Sequence, residues 1–135
     1  AEPPERAPPP TPALRRGRVL VVDDEEMVLS AVRRTLAAEH EVITTSESPV
    51  ALAWIEAGER FDLILCDVMM PVMSGIDLFA AIQRVAPDQL DRLVFFTGGA
   101  FTDETRAFLD RVENPSLEKP FEPQQLRALV NDRVR

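Results

Sequence analysis

Short apolar runs alternate with segments in which apolar residues recur at helical spacing, and the alternation begins near residue 18. An apolar run of four to six residues is typical of a strand covered on both faces, whereas recurrence every three or four residues is typical of an amphipathic helix. The predicted strands are 18–22, 41–45, 61–66, 92–97 and 116–119. This alternation of strand and helix favours a parallel sheet covered by helices on both sides.

Five helices are predicted between and after these strands. Serine and threonine side chains accept the free N–H groups of a first helical turn, and proline is tolerated there because it lacks an N–H. On this basis the helices begin near Glu26, Ser48, Ser74, Thr102 and Pro123. We expect the first helix to reach Glu39 and all five apolar stripes to pack on the sheet.

The order of the strands follows from their composition. The first, third and fourth runs are almost wholly apolar, as central strands should be, and the second and fifth are more polar, as edge strands should be. Right-handed crossovers then place the helices on both sides of a five-stranded parallel sheet. We expect a flavodoxin-like (βα)5 three-layer α/β sandwich with the strand order 2-1-3-4-5. We predict that residues 1–17, which are rich in proline, form a disordered linker and that residues 18–135 form the folded domain.

Composition narrows the function classes. The chain has 135 residues, 45% of them hydrophobic and 28% charged, which is typical of a soluble globular domain. Its net charge of −8 argues against nucleic-acid binding, which needs clustered basic residues. The sequence has no run of about 20 apolar residues, the length of a membrane span, so we expect no membrane contact by this segment. Cys66 is the single cysteine, which excludes an internal disulfide and favours a cytoplasmic location; we expect it in the core.

Polar residues stand where four of the predicted strands end. Asp23 and Asp24 follow the first, Asp67 the third, Thr97 ends the fourth and Lys119 ends the fifth. The carboxyl ends of parallel strands converge on one crevice, where such folds bind ligands. Three carboxylates at close range need a counter-ion, and oxygen ligands suit Mg²⁺. We therefore predict a Mg²⁺ site with Asp24 and Asp67 as direct ligands, Asp23 on a metal-bound water, and a backbone carbonyl just past Asp67.

The same crevice has the groups that phosphoryl transfer needs. Asp67 is a candidate nucleophile, whose product would be an acyl phosphate. Lys119 and the metal would neutralise the phosphoryl oxygens, while the hydroxyl of Thr97 and the backbone N–H of Gly98 would donate hydrogen bonds to them. Each residue alone is a weak signal, but four strand ends that agree are a strong one.

These motifs resemble the receiver domain of two-component signalling over residues 17–135. The matching pieces are 19–25 (VLVVDDE), 63–71 (LILCDVMMP) with Ser74 and Gly75, 97–99 (TGG) and 117–121 (LEKPF). The resemblance implies that Asp67 accepts a phosphoryl group from the phosphohistidine of a histidine kinase or histidine phosphotransfer protein, in another protein or in the same chain. Thr97 would be the switch hydroxyl, Lys119 would contact the phosphate, and the Lys119–Pro120 bond would be cis. The implied Mg²⁺ site uses Asp23, Asp24, Asp67 and the carbonyl of Met69.

One position departs from the family pattern. Receivers usually carry an aromatic residue three positions before the lysine, where this chain has Ser116. The usual coupling of threonine and aromatic residue therefore lacks its aromatic partner at this position. Phe101 is a candidate substitute, although core packing is the favoured role for it. The sequence around the fifth strand resembles that of receivers attached to hybrid sensor histidine kinases. The alternative context is a stand-alone single-domain response regulator.

Two other functions fit the sequence less well. A phosphatase of the haloacid dehalogenase type also uses a strand-end aspartate, but it needs a second aspartate two positions later, where Met69 cannot donate a proton. A docking module that is never phosphorylated would not need the complete set of acidic, hydroxyl and ammonium groups.

As a receiver, the chain would catalyse only its own phosphorylation and dephosphorylation. His40, the single histidine, is expected on the surface.

Overall fold

The computed structural model describes residues 16–98 and 102–134 and shows a five-stranded parallel sheet in the order β2-β1-β3-β4-β5. The predicted fold class is therefore confirmed. The strands are β1 Arg18–Val22, β2 Glu41–Thr45, β3 Leu63–Asp67, β4 Leu93–Thr97 and β5 Ser116–Glu118. The helices are α1 Glu26–Leu36, α2 Ser48–Glu56, α3 Gly75–Val85, α4 Asp103–Arg111 and α5 Pro123–Val134.

Most element boundaries lie within two residues of the predicted ones, and two differences have clear causes. β4 begins at Leu93 because Pro87–Arg92 forms a 3-10 helix in front of it. α1 ends at Leu36 rather than Glu39, since the N–H groups of Glu39 and His40 both donate to the carbonyl of Leu36 and close a turn. That turn reverses the direction of the chain, so that β2 can pair with β1 from Glu41 onward.

The sheet separates two apolar cores, as alternating side chains on a strand require. One face buries Leu20, Ile64 and Phe95 against α2, α3 and Phe108 of α4. The other face buries residues of the same strands, such as Leu65, against α1 and α5. Cys66 is fully buried in the first core, as expected, and its burial raises the pKa of its thiol. Across residues 16–98 and 102–134, no helix combines the length and apolar character needed to cross a bilayer.

His40 is buried, so the prediction of a surface histidine is wrong. Its side chain has no solvent exposure and accepts a hydrogen bond at Nδ1 from the N–H of Gly17, 3.0 Å away. Its Nε2 lies 2.7 Å from Oδ1 of Asn131 on α5 and, because Nδ1 is the acceptor, is the hydrogen-bond donor. The imidazole thus ties the start of the described chain to α5. The division into a linker (1–17) and a domain (18–135) stays a prediction, because residues 1–15 lie outside the described part.

Candidate functional site

The register of the sheet brings the predicted site residues to one edge. Asp67 is the last residue of β3 and pairs with Phe96, next to Thr97 at the end of β4. Asp23 follows β1, whose last residue, Val22, pairs with Cys66 just before Asp67. Lys119 follows β5, and its backbone N–H donates to the carbonyl of Thr97 over 2.9 Å. Four strand ends therefore meet in one crevice, as the sequence indicated.

Three carboxylates form an acidic cluster in this crevice. One oxygen from each of Asp23, Asp24 and Asp67 lies within 4.8 Å of the others. Asp23 and Asp67 are buried, with 0% and 6% exposure, whereas Asp24 is exposed to solvent. Three oxygen donors with an open side are the arrangement that Mg²⁺ accepts, since this ion keeps some of its waters. The residues present therefore fit the predicted ion.

The main chain beyond Asp67 folds back over its carboxylate. The N–H of Met69 donates to Oδ1 of Asp67 over 3.0 Å, which leaves Oδ2 facing the crevice. This contact brings the backbone of Met69 beside the cluster, while its side chain is 45% exposed. The hydroxyl of Thr105 on α4 lies 3.7 Å from the sulfur of Met69. The role of the Met69 carbonyl as a metal ligand stays a prediction.

The Lys119 ammonium contacts three carboxylates. Its Nζ lies 2.9 Å from Oδ2 of Asp23, 3.2 Å from Oε1 of Glu25 and 3.4 Å from Oδ2 of Asp67. Glu25 was not among the predicted site residues. Its acidic side chain follows the Asp23–Asp24 pair directly, but its direction depends on the turn into α1, in which the N–H of Glu25 donates to Oδ1 of Asp23 over 2.9 Å.

Burial and charge act against each other in this crevice. Burial raises the pKa of the Asp67 and Asp23 carboxyls, although the Met69 N–H and Lys119 oppose the shift at Asp67, and Lys119 and the Glu25 N–H oppose it at Asp23. Burial alone would lower the pKa of Lys119, but its hydrogen bond to Asp23 and the charges of Asp23 and Asp67 raise it well above its usual range. The site therefore holds a permanent ammonium beside carboxylates that need another cation.

The loop between β3 and α3 holds the nucleophile candidate in place. Ser74 and Asp77 cap α3 reciprocally, with side chain to backbone distances of 3.2 and 3.1 Å. At Gly75 a Cβ atom would lie 2.8 Å from Cα of Val68 and 3.1 Å from the carbonyl oxygen of Asp67, so only glycine fits. The helix thereby packs directly on the main chain of the candidate phosphoacceptor.

A strained turn lies in the same loop. The N–H of Met73 donates to the carbonyl of Pro71 over 2.7 Å, which makes Val72 the centre of a γ-turn. Val72 has a φ of 69°, a conformation that β-branched residues rarely adopt, and its side chain is 95% exposed. Nothing packs on this side chain to offset the strain.

Some of the other features implied by the resemblance lie in the described part of the chain. The Lys119–Pro120 peptide bond is cis, as the resemblance implied. Ser116 is exposed on β5, at the position where receivers usually carry an aromatic residue. Thr102 caps α4 by accepting from the N–H of Thr105, as predicted. Phe101, the proposed substitute for the aromatic residue, lies outside the described residues.

A groove of about 1030 Å³ extends from the acidic cluster along α1. Asp67 and Lys119 line one end of it. The remainder has an apolar wall that includes Met27, whose side chain is 83% exposed. Apolar side chains that also line the groove are those of Val28, Ala31, Met69, Pro120, Phe121 and Pro123.

Comparison with known proteins decides the family. A family model described as the response regulator receiver domain matches residues 19–131, which include all five predicted site positions at the strand ends. The chain belongs to this family. The resemblance inferred from the motifs is thus confirmed at the level of the receiver domain.

Relatives of the chain are bacterial regulators. The transcriptional regulator NtrC of Azospirillum brasilense, described as DNA-binding, is 32% identical over 83% of this chain and 23% of its own length. The response regulator MprA of Mycobacterium ulcerans is 31% identical over 87% of this chain and 50% of its own length. The chain thus spans half or less of these curated relatives. Among solved structures, chemotaxis protein CheY4 of Vibrio cholerae superimposes with a TM-score of 0.71 at 31% identity, covering 89% of this chain and 99% of that one.

Proposed function

We propose that the chain is a phosphoacceptor switch in which Asp67 takes a phosphoryl group from the phosphohistidine of a histidine kinase or histidine phosphotransfer protein. A carboxylate oxygen of Asp67 attacks phosphorus, the P–N bond breaks, and the histidine leaves as a neutral ring after taking a proton. The observation that carries the proposal is the Lys119 ammonium, 3.4 Å from Oδ2 of Asp67 and beside a cluster of three carboxylates. That arrangement suits a group that arrives with negative charge.

The chain's own residues position this reaction. The Met69 N–H fixes one oxygen of Asp67 and leaves the other facing the crevice for in-line attack. Lys119 neutralises a phosphoryl oxygen, and the hydroxyl of Thr97, at the end of the neighbouring strand, donates a hydrogen bond to another. The developing charge is therefore met by groups that two separate strands hold in place.

Mg²⁺ is the proposed cofactor. Asp24 and Asp67 would bind it directly, together with the carbonyl of Met69, while Asp23 would hold one of its waters. When bound, the ion neutralises the carboxylates and the phosphoryl oxygens. The support is that the three carboxylates lie within reach of one ion and that Lys119 alone cannot balance their charge.

The groove along α1 fits the phosphodonor partner. A phosphohistidine must reach Asp67 from the open side, which Asp24 and the groove share. The apolar wall, with Met27 exposed at its edge, suits the apolar stripe of a partner helix, because such helices lie in apolar grooves. We infer that the donor histidine is presented from a helix packed against α1.

For the protein context, we propose a response regulator in the cytoplasm. Of the relatives named above, MprA is a response regulator and NtrC a transcriptional regulator, which favours a response regulator, although not a single-domain one, over the receiver of a hybrid sensor kinase that the fifth strand suggested. The name of the NtrC relative includes DNA binding, so a nucleic-acid-binding output elsewhere in the protein is part of this proposal. We do not assign nucleic-acid contact to the acidic receiver segment itself.

The decisive experiment is phosphorylation by acetyl phosphate. Incubation with Mg²⁺ should add the mass of one phosphoryl group, and Asp67→Asn should abolish it. Asp110→Asn, which removes an exposed carboxylate on α4, is the matched control and should be labelled normally. Undiminished labelling of Asp67→Asn would refute the proposal, and a docking module would gain no phosphate at all. Catalytic turnover of phosphate esters would favour the phosphatase alternative.

A further inference from the structure

We propose that Glu25 is a positioning residue, which gives the Lys119 ammonium a partner outside the acidic cluster when Mg²⁺ binds there. The inference rests on the proposed function, because it concerns the same site. It starts from a competition: Lys119 and the ion would share the carboxylates of Asp23 and Asp67.

Each N–H donor of Lys119 has a carboxylate acceptor in the structure. An ammonium has three N–H donors. They face one oxygen each of Asp23, Glu25 and Asp67, at 2.9, 3.2 and 3.4 Å. Any new ligand on Asp23 or Asp67 therefore has to share an oxygen with Lys119 or displace it.

A divalent cation in the cluster repels the ammonium. Coulomb repulsion between Mg²⁺ and Lys119 is large at a few ångströms in a partly buried site, where screening by water is weak. Lys119 is only 14% exposed, so it cannot simply turn into solvent. It needs an acceptor that is close and does not belong to the metal site.

Glu25 meets this requirement. Its carboxylate contacts Lys119 and is 63% exposed, and it is not among the described carboxylates whose oxygens converge within 4.8 Å. Its main chain is fixed, because its N–H donates to Asp23 and its carbonyl accepts from the N–H groups of Val28 and Leu29. A hydrogen-bonded backbone with a solvent-exposed carboxylate lets the ammonium move away from the cluster while keeping an ion pair.

The test is the affinity for Mg²⁺, measured on the whole chain by isothermal titration calorimetry. Glu25→Gln keeps the size of the side chain but removes the acceptor, so we expect the Kd to rise about two- to fivefold, the usual range for one partly exposed ion pair. Glu26→Gln is the matched control, since it removes the same charge one residue further on, from an exposed side chain in the first turn of α1. It should leave the Kd nearly unchanged.

A double substitution isolates the role of Lys119. In the Lys119→Gln background Mg²⁺ should bind more tightly, and Glu25→Gln should have no larger effect than Glu26→Gln. The Mg²⁺ concentration for half-maximal labelling by acetyl phosphate should rise in Glu25→Gln, while the rate at saturating Mg²⁺ stays unchanged. Loss of a residue that only supports the fold would also lower the rate at saturating Mg²⁺.

Equal Kd values for Glu25→Gln and Glu26→Gln would overturn the inference, as would an effect of Glu25→Gln that persists without Lys119. If Lys119→Gln does not fold, as judged by circular dichroism, the comparison of the two single variants decides alone. Normal labelling of Asp67 with equal Kd values would refute the inference but leave the proposed function intact. The expected Kd values without labelling of Asp67 would refute only the proposed function.

Discussion

Gly75→Ala should both destabilise the protein and slow phosphorylation, because the added methyl group would press on the main chain of the phosphoacceptor. The Cβ atom would lie 2.8 Å from Cα of Val68 and 3.1 Å from the carbonyl oxygen of Asp67. Both are backbone atoms of buried residues, one the last of β3 and the other directly after it, so neither can move without shifting the end of β3. Overpacking of this kind costs about 1–3 kcal/mol.

The net cost is smaller than the clash alone. Alanine restricts the unfolded chain, which offsets about 0.4–1 kcal/mol. We therefore expect Gly75→Ala to lower the free energy of unfolding by about 1–2 kcal/mol. Urea denaturation would show this as a lower midpoint at an unchanged slope. Because misplacement of a reacting group by about 1 Å can cost a hundredfold in rate, labelling by acetyl phosphate should slow by about tenfold or more.

Gly98→Ala provides the control in the same crevice. A Cβ atom there would lie 3.5 Å from Cε of Lys119, which is an ordinary van der Waals contact. Its stability should stay within about 0.5 kcal/mol of the parent protein. Equal losses of stability for the two variants, or normal labelling of a destabilised Gly75→Ala, would contradict the reasoning from close approach.

Three further substitutions probe strain, a buried histidine and the charge of the site. Val72→Gly should raise the free energy of unfolding by about 0.5–1 kcal/mol, since it relieves a positive φ at an exposed β-branched residue; an unchanged urea midpoint would contradict this. His40→Ala should lower it by about 2–3 kcal/mol, because Gly17 and Asn131 lose their buried partner, and a loss below about 0.5 kcal/mol would show that these hydrogen bonds contribute little. Burial raises the pKa of Asp67, so its stabilising contribution is complete below its ordinary value of 3.8 and is lost as the pH rises through the folded-state value. Without Mg²⁺ at pH 7, Asp67→Asn, which cannot ionise, should therefore be more stable than the parent by about 1 kcal/mol; a less stable variant in urea denaturation would refute the argument.

The sequence was sufficient for the architecture and for the strand-end residues of the site. Wholly apolar runs are typical of the central strands of a covered sheet, and the flavodoxin-like order expected for them is the order observed. Parallel pairing then places Asp67, Thr97 and Lys119 at one edge of the sheet. These predictions depend on period and composition, which are local properties of the chain. Gly75 was recognisable as part of a motif, but not as a residue that touches the main chain of Val68.

Tertiary structure alone decided the contacts between distant residues. Glu25 and Lys119 are 94 positions apart, and only the turn after β1 and the loop after β5 bring the carboxylate and the ammonium within 3.2 Å. His40 became a buried link because α5, 91 positions away, supplies Asn131 as its partner. A pattern of polar and apolar positions sets which face of an element is buried. A hydrogen bond, however, requires the donor and the acceptor to be positioned with a tolerance of a fraction of an ångström. That coincidence arises only when all the elements pack together.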